Sequence, residues 1–359
     1  MTLKFRKPLS EISGPVLITG HTGFKGTWLT LLLEELGVKT IGFSLPPTED
    51  SLYLRLNREG AISEVYADLR DKSVLETFIV NERPVAVIHL AAQSIVLNSY
   101  LEPLETFEIN VLGTANLLDI CHKTSTVQNI IVVTTDKVYK NFNDGRAYKE
   151  QDPLSARDPY SASKVAAESV IRAWQEINTL HGGPKILAAR TGNVIGGGDF
   201  SPSRLLPDII RAYMYGEQCI IRNETSTRPW QHVLEPLWGY VLALEKMQKS
   251  ELPYALNFGP RKKSLSVSDV INICKNYWPH QLSFQYVGNK NNNEEICLDL
   301  DSCNAKNYLS WECLFEQEEA VRLTLEWWNS VLNQNIFPLD VCKREISEFL
   351  KLTLGKESE

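Results

Sequence analysis

The stretch Val16-Leu17-Ile18-Thr19-Gly20-His21-Thr22-Gly23-Phe24-Lys25-Gly26 decides the fold. Val16 to Ile18 is an apolar run and reads as a buried parallel strand. It stops at a loop with a glycine at every third position: Gly20, Gly23 and Gly26. Beyond it Phe24, Trp28, Leu29, Leu32, Leu33 and Leu36 recur at helical spacing. Strand, glycine loop and helix in that order make an anion site. The missing β-carbons let backbone approach a pyrophosphate, and the helix N-terminus points free N–H groups and its dipole at it. A glycine turn without a ligand has the same three glycines; the flanking strand and helix favour the dinucleotide reading.

Working outward, the chain alternates strand and helix. Strands are expected at Lys39–Ser44, Val65–Ala67, Val85–His89, Asn129–Thr134 and Lys185–Ala189. Helices are expected over about 72–81, 105–122 and 159–180, with a loop and short helix in 45–62. Such alternation predicts an α/β fold with a Rossmann-type, doubly wound parallel sheet. The character changes after Arg190. Gly192 and the run Gly196-Gly197-Gly198 read as a flexible connection to a smaller α/β substrate domain. Helices are expected there at 205–215, 236–249, 267–278 and 316–332, with a short strand at 219–222. The expected division is a dinucleotide-binding domain over 1–190, with 232–258 returning to it, and a substrate domain over most of 191–359. The asparagine-rich run 289–293 reads as a surface loop.

With 359 residues, 43% hydrophobic and 23% charged, the chain is ordinary for a soluble globular protein. A net charge of −7 without a long basic run argues against nucleic acid as partner. No apolar stretch reaches the about 18 residues of a membrane span. Met1 to Ser13 has no apolar signal core. The seven cysteines are scattered and form no C-x-x-C pair, as expected of reduced thiols in the cytoplasm. The six histidines lack metal-ligand spacing, so no metal is expected.

A second signal is Tyr160-Ser161-Ala162-Ser163-Lys164. Residues four apart share a helix face. A lysine ammonium beside a phenol lowers its pKa, and such a tyrosine takes a proton from a sugar hydroxyl. Alone, this is also an ordinary Tyr/Lys pair on a solvated face. Thr135-Asp136-Lys137 follows a strand, where parallel sheets place ligand sites, although a polar turn reads the same.

The glycine loop together with Tyr160-x-x-x-Lys164 resembles the extended short-chain dehydrogenase/reductase family. Asp68-Leu69, Leu90-Ala91-Ala92 and Asn110-x-x-Gly113-Thr114 are similar to its adenine, nicotinamide-side and structural motifs. Longer stretches resemble its branch of CDP-glucose dehydratases: Thr19–Gly26, Thr134–Tyr139, Gly192–Asp199, Arg228–Leu237, Asn257–Arg261 and Lys343–Ser347. The resemblance implies NAD held by Gly20, Thr22, Gly23, Phe24, Lys25, Gly26, Asp68, Leu69, Ala91, Ala92, Asn110, Tyr160 and Lys164. It implies catalysis by Thr135, Asp136, Lys137, Tyr160 and Lys164. It also implies a nucleotide sugar, CDP-glucose within that branch, held by Asn193, Arg204, Arg222 and Arg228, whose forked donors match phosphate oxygens. Trp230 and His232 stay unassigned between core and pocket, and Asn257 between nucleotide contact and strand-end packing.

Two departures stand out. In related dehydratases the Thr-Asp-Lys site reads Thr-Asp-Glu, where the glutamate removes the sugar carbon-5 proton and the aspartate serves the departing hydroxyl. Lys137 replaces that glutamate, leaving two roles open: a neutral amine as base, or an ammonium stabilising an enolate. Strand two ends at Ser44 where a carboxylate usually selects NAD; NAD remains the expectation over NADP because no arginine adjoins it. Lys25 reads as charge near the pyrophosphate or as a solvated loop lysine. The same resemblance implies a homodimer or homotetramer through the helices at 105–122 and 160–180. Other sugar-nucleotide dehydratases, a 4-epimerase and a non-catalytic nucleotide-binding protein are the alternative readings.

Overall fold

The computed structural model describes residues 7–142, 144–262, 264–287 and 298–355. The asparagine-rich run 289–293 and Cys297 lie outside them, as do residues 1–6 of the N-terminal segment.

Seven strands form one parallel sheet: β1 (Val16–Thr19), β2 (Thr40–Ser44), β3 (Ser63–Tyr66), β4 (Ala86–His89), β5 (Asn129–Val133), β6 (Lys185–Thr191) and β7 (Ala255–Phe258). The spatial order is β7-β6-β5-β4-β1-β2-β3, with every pairing parallel. The chain reverses its direction of winding between β1 and β4. Ligands of such sheets bind at this switch, beyond the carboxyl ends of the strands. The apolar run is explained by burial on both faces. Val16 and Ile18 point into one hydrophobic cluster with Trp28, Leu32 and Trp327, and Leu17 into another with Ile41, Phe43 and Leu118.

Helix α1 (Phe24–Glu35) follows the glycine loop, and α2 (Leu52–Arg55) is short. Helices α3 (Lys72–Glu82), α4 (Val96–Leu101), α5 (Pro103–Phe107) and α6 (Thr114–Lys123) follow. The single helix expected over 105–122 is instead α5, a π-helical turn at Glu108–Gly113, and α6. The inserted turn coincides with two inward anchors. Asn110 is buried, and a β-carbon on Gly113 would sit 3.1 Å from Leu69 Cβ. Helix α4 was not foreseen. The third strand starts two residues earlier than expected, although Ala67 N still bonds Ser44 O at 2.8 Å.

Helix α7 (Pro159–His181) begins at Asp158, whose carboxylate accepts from Ser161 N at 2.9 Å, with proline in the first turn. Helices α8 (Leu205–Tyr215), α9 (Leu234–Lys249), α10 (Val267–Tyr277), α11 (Cys303–Leu309), α12 (Gln317–Leu332) and α13 (Pro338–Gly355) complete the chain. After α9 the chain adds β7 beside β6. The run Gly196-Gly197-Gly198 is buried, not a solvent-exposed linker. A β-carbon on Gly197 would lie 1.9 Å from the Trp327 ring, and one on Gly198 2.3 Å from Leu52. Close packing therefore explains these glycines. No helix among the described residues is long and apolar enough to cross a membrane.

Candidate active site at the carboxyl edge of the sheet

The glycine loop leaves β1 at the switch point. Gly20 has φ +74, and a β-carbon there would lie 2.8 Å from Ala91 N, so this loop and the end of β4 close on each other. A β-carbon on Gly26 would lie 2.1 Å from Gly20 O; only hydrogen fits where α1 packs on the loop. Gly23 precedes helix α1 as its cap residue and offers no side-chain acceptor, as at helix N-termini that bind anions. Phe24 lies against Gly196, whose β-carbon would stand 3.2 Å from its ring. This cradle fits a dinucleotide pyrophosphate.

Around it, Thr22 Oγ1 bonds Ser44 Oγ at 2.7 Å and donates to Leu45 O at 3.0 Å. Asp68 pairs with Arg70 at 2.7 Å, and that side-chain bond holds its carboxyl below the ordinary range. Leu69 is buried under Gly113, and half-buried Ala92 follows Ala91. Asn110 donates to Ser163 Oγ at 2.9 Å and to Gln93 O at 3.0 Å, and accepts from Gln93 N at 2.8 Å. Its amide thus ties the segment after β4 to α7. Buried His89 sits between Thr19 Oγ1 (2.6 Å) and Thr114 Oγ1 (3.1 Å), and burial lowers its pKa to about 3.

Sequence reasoning missed a cluster beneath the loop. His21 Nε2 meets Glu64 Oε2 at 2.7 Å, and Tyr53 OH donates to the same oxygen at 2.6 Å. Tyr66 OH donates to Glu64 Oε1 at 3.1 Å. The signal was Gly42 inside β2: a β-carbon there would strike His21 Nδ1 at 2.5 Å. His21 is buried, and desolvation lowers its pKa against the opposing pull of Glu64.

On the other side, α7 and the end of β5 bring together Tyr160, Lys164, Thr135 and Asp136. Tyr160 is 8% exposed, and its phenol faces the Thr135 side chain closely enough to be influenced by it. Burial pushes its phenol up to about 12, with Thr135 and Arg204 opposing. The sequence suggests a phenol lowered by Lys164; here burial raises it instead. Lys164 Nζ donates to Val133 O at 3.4 Å, and burial lowers it to about 8 against Glu168. Thr135 Oγ1 donates to Asp136 Oδ1 at 2.9 Å. Asp136 is 3% exposed, and burial raises its carboxyl against Lys137, Thr135 and Arg228. Gly192 makes the room: a β-carbon there would stand 3.1 Å from Asp136 Oδ2. Lys137 is half-buried beside them.

Lys25 is not a solvated loop lysine. Its amine donates to Tyr240 OH at 3.0 Å and Thr191 Oγ1 at 3.3 Å. Burial lowers it to about 7, aided by the charges of Arg204 and Lys164. Arg204 pairs with Asp199 at 3.7 Å, and Arg228 donates to Thr227 O at 2.7 Å while its charge acts on Asp136. Half-buried Asn193 accepts from Gln231 N at 3.0 Å through its main chain. Arg222 is exposed just beyond the strand Cys219–Ile221, and its charge acts on Asp208, whose N–H bonds Arg204 O one turn away. Trp230 and His232 are core residues. Asn257 is packed at the end of β7: it accepts from Tyr139 OH at 2.7 Å and donates to Tyr148 O and Asp301 O.

Comparison with known proteins gives this geometry a family. A model described as the NAD dependent epimerase/dehydratase family matches residues 16–259. CDP-glucose 4,6-dehydratase of Salmonella typhimurium is 35% identical over 348 residues, 94% of this chain and 96% of that one. UDP-glucose 4-epimerase of Halalkalibacterium halodurans is 27% identical, over 83% of this chain and 90% of the other. The solved dTDP-glucose 4,6-dehydratase of Bacillus anthracis, in complex with NAD, superimposes with a TM-score of 0.76 at 20% identity, covering 89% and 98% of the two chains. Glycine cradle, switch-point sheet and these matches agree: the chain belongs to the NAD dependent epimerase/dehydratase family.

Proposed function

We propose that the protein removes water from CDP-glucose, giving CDP-4-keto-6-deoxyglucose, with NAD as resident cofactor. The near full-length likeness to the Salmonella dehydratase carries this reading. When bound, NAD would supply the reversible hydride acceptor that the sugar's carbon 4 needs. The glycine cradle, Ala91 and Asp68 are the residues that would hold it. Tyr160 takes the carbon-4 hydroxyl proton, and Thr135 hydrogen-bonds the carbonyl that results. The carbonyl acidifies the carbon-5 proton, which leaves with Lys137 as base or as enolate stabiliser. Asp136 protonates the departing carbon-6 hydroxyl. Its burial supports this role, because a raised carboxyl keeps its proton to higher pH. Arg204 and Arg228 are the arginines proposed for the diphosphate. A 4-epimerase, favoured by the likeness to the Halalkalibacterium enzyme, would need no acid for a leaving hydroxyl.

The test offers CDP-, dTDP-, UDP- and GDP-hexoses to the purified protein and follows product mass. Loss of water from CDP-glucose, without added reductant and without net consumption of NAD, is expected. Preference for another nucleotide overturns the CDP assignment; stoichiometric consumption of NAD overturns the reaction class.

The proposal extends to assembly. Along α4, α5 and the π-helical turn, Tyr100 (61%), Leu101 (77%), Leu104 (73%) and Leu112 (57%) are exposed. Large apolar side chains left exposed in this number are suited to pairing with a second copy. Light scattering at micromolar concentration is expected to give a dimer or tetramer; a monomeric mass overturns it. A cytoplasmic location goes with the reading and is supported by the free thiols of Cys121, Cys219, Cys274, Cys303, Cys313 and Cys342.

A further inference from the structure

Tyr160, Lys164 and Glu168 follow each other at four-residue steps on one face of α7. The third has no part in the chemistry proposed above, yet it is 5% exposed and fully engaged. Its two oxygens accept from Arg190 Nε and Nη2, both at 2.8 Å. Oε1 also accepts from the Thr134 hydroxyl at 2.7 Å. Arg190 is itself immobilised. It lies beside the rings of Tyr139 (5.1 Å) and Tyr254 (5.5 Å), and donates to Tyr139 OH at 2.9 Å and Glu150 O at 3.1 Å. A fork-to-fork pair held this way is a rigid anchor.

Thr134 is the residue immediately before Thr135 and Asp136. Its backbone N–H is already satisfied by Ala189 O at 2.9 Å. The hydroxyl contact with Glu168 is therefore not needed to complete the sheet ladder. One residue earlier, Val133 O accepts from Lys164. Two successive residues at the end of β5 are thus fastened to the face of α7 that carries Tyr160.

We infer that Thr134, through Glu168 and Arg190, is a positioning residue that sets Thr135 and Asp136 against Tyr160. The inference rests on the dehydratase reading. The two halves of the site come from different elements, a strand end and a helix. Without a tie between them, the Thr135–Tyr160 contact depends on loop geometry alone. A shift of about 1 Å in such a contact costs on the order of 100-fold in rate.

Substituting Glu168 or Arg190 would strand a buried charge and endanger the fold, so the test is placed on Thr134. Thr134→Val removes the hydroxyl at nearly constant shape, and Thr134→Ser keeps it. Steady-state dehydration of CDP-glucose is measured for both in the full chain with NAD. For Thr134→Val, kcat is expected to fall about 10- to 100-fold with KM unchanged, while Thr134→Ser stays near wild type. If Thr134→Val does not fold, Thr134→Ala serves as the hydroxyl-free variant. Wild-type kcat in the hydroxyl-free variant, or an equal loss in Thr134→Ser, overturns the inference. A wild-type protein that dehydrates no nucleotide sugar overturns the dehydratase reading and the inference with it. Normal wild-type turnover with an unimpaired hydroxyl-free variant overturns the inference alone.

Discussion

Tyr160→Phe is expected to stop turnover at its first step, before any 4-keto sugar forms. The substitution keeps the ring that fills its place at the start of α7 and removes only the hydroxyl that faces Thr135. A general base of this kind is worth about 100- to 10,000-fold in rate. The variant should retain fold and NAD binding, because Asp158 still caps the helix and Tyr160 N still bonds Ser99 Oγ at 3.1 Å. The pH dependence gives a second readout. Burial holds the phenol near 12, so it is protonated at neutral pH. The rate of carbon-4 oxidation should climb from neutral into mildly alkaline solution as the phenolate fraction grows, and Tyr160→Phe should lose the climb along with the rate. Single-turnover formation of 4-keto sugar, measured by trapping the ketone, checks both. A variant that forms ketone at the wild-type rate would show that another group takes the proton.

The sheet was legible in the sequence because its signals are local. Apolar runs buried on two faces need no tertiary information, and the glycine spacing before an apolar helix has few other uses. Positions where one residue is shaped by a distant one were not legible. Nothing in the sequence links Gly42 to His21, whose ring fills the space a β-carbon would need. The glycine run at 196–198 reads as a linker until Trp327 and Leu52, remote in sequence, are seen filling the space. The π-helical turn was hidden because its hydrophobic pattern departs from an α-helix by one residue. In the site, Tyr160 and Lys164 were legible from their four-residue spacing, but Glu168 was not. A glutamate one turn further reads as solvated surface, and its partners lie elsewhere in the chain, Thr134 just past the end of β5 and Arg190 on β6. The sign of the Tyr160 shift was hidden too, since burial is set by packing and not by spacing.

Asp136→Asn and Lys137→Met are expected to divide elimination into two separable defects. Asparagine keeps an oxygen for the Thr135 hydroxyl, which donates to Asp136 Oδ1 at 2.9 Å, and removes the proton. The carboxyl is raised by burial even though Lys137, Thr135 and Arg228 oppose it. As an acid it works while protonated, so elimination should be retained below its pKa and lost as pH rises through it. In Asp136→Asn, carbon-4 oxidation and solvent deuterium exchange at carbon 5 should continue, while water loss falls by about 100- to 10,000-fold. A 4-keto-hexose that still carries its carbon-6 hydroxyl should accumulate. Lys137→Met keeps an unbranched stem and removes the amine. Whether that amine acts as base or stabilises an enolate, exchange at carbon 5 should fall steeply while the 4-keto sugar still forms. The two variants therefore differ at carbon 5: exchange persists in the first and fails in the second. Mass spectrometry of single-turnover products in deuterated water separates them, once circular dichroism and NAD titration have shown both folded and loaded. Unimpaired water loss in Asp136→Asn would remove the aspartate from the mechanism. Undiminished exchange in Lys137→Met would move the carbon-5 proton to a different acceptor.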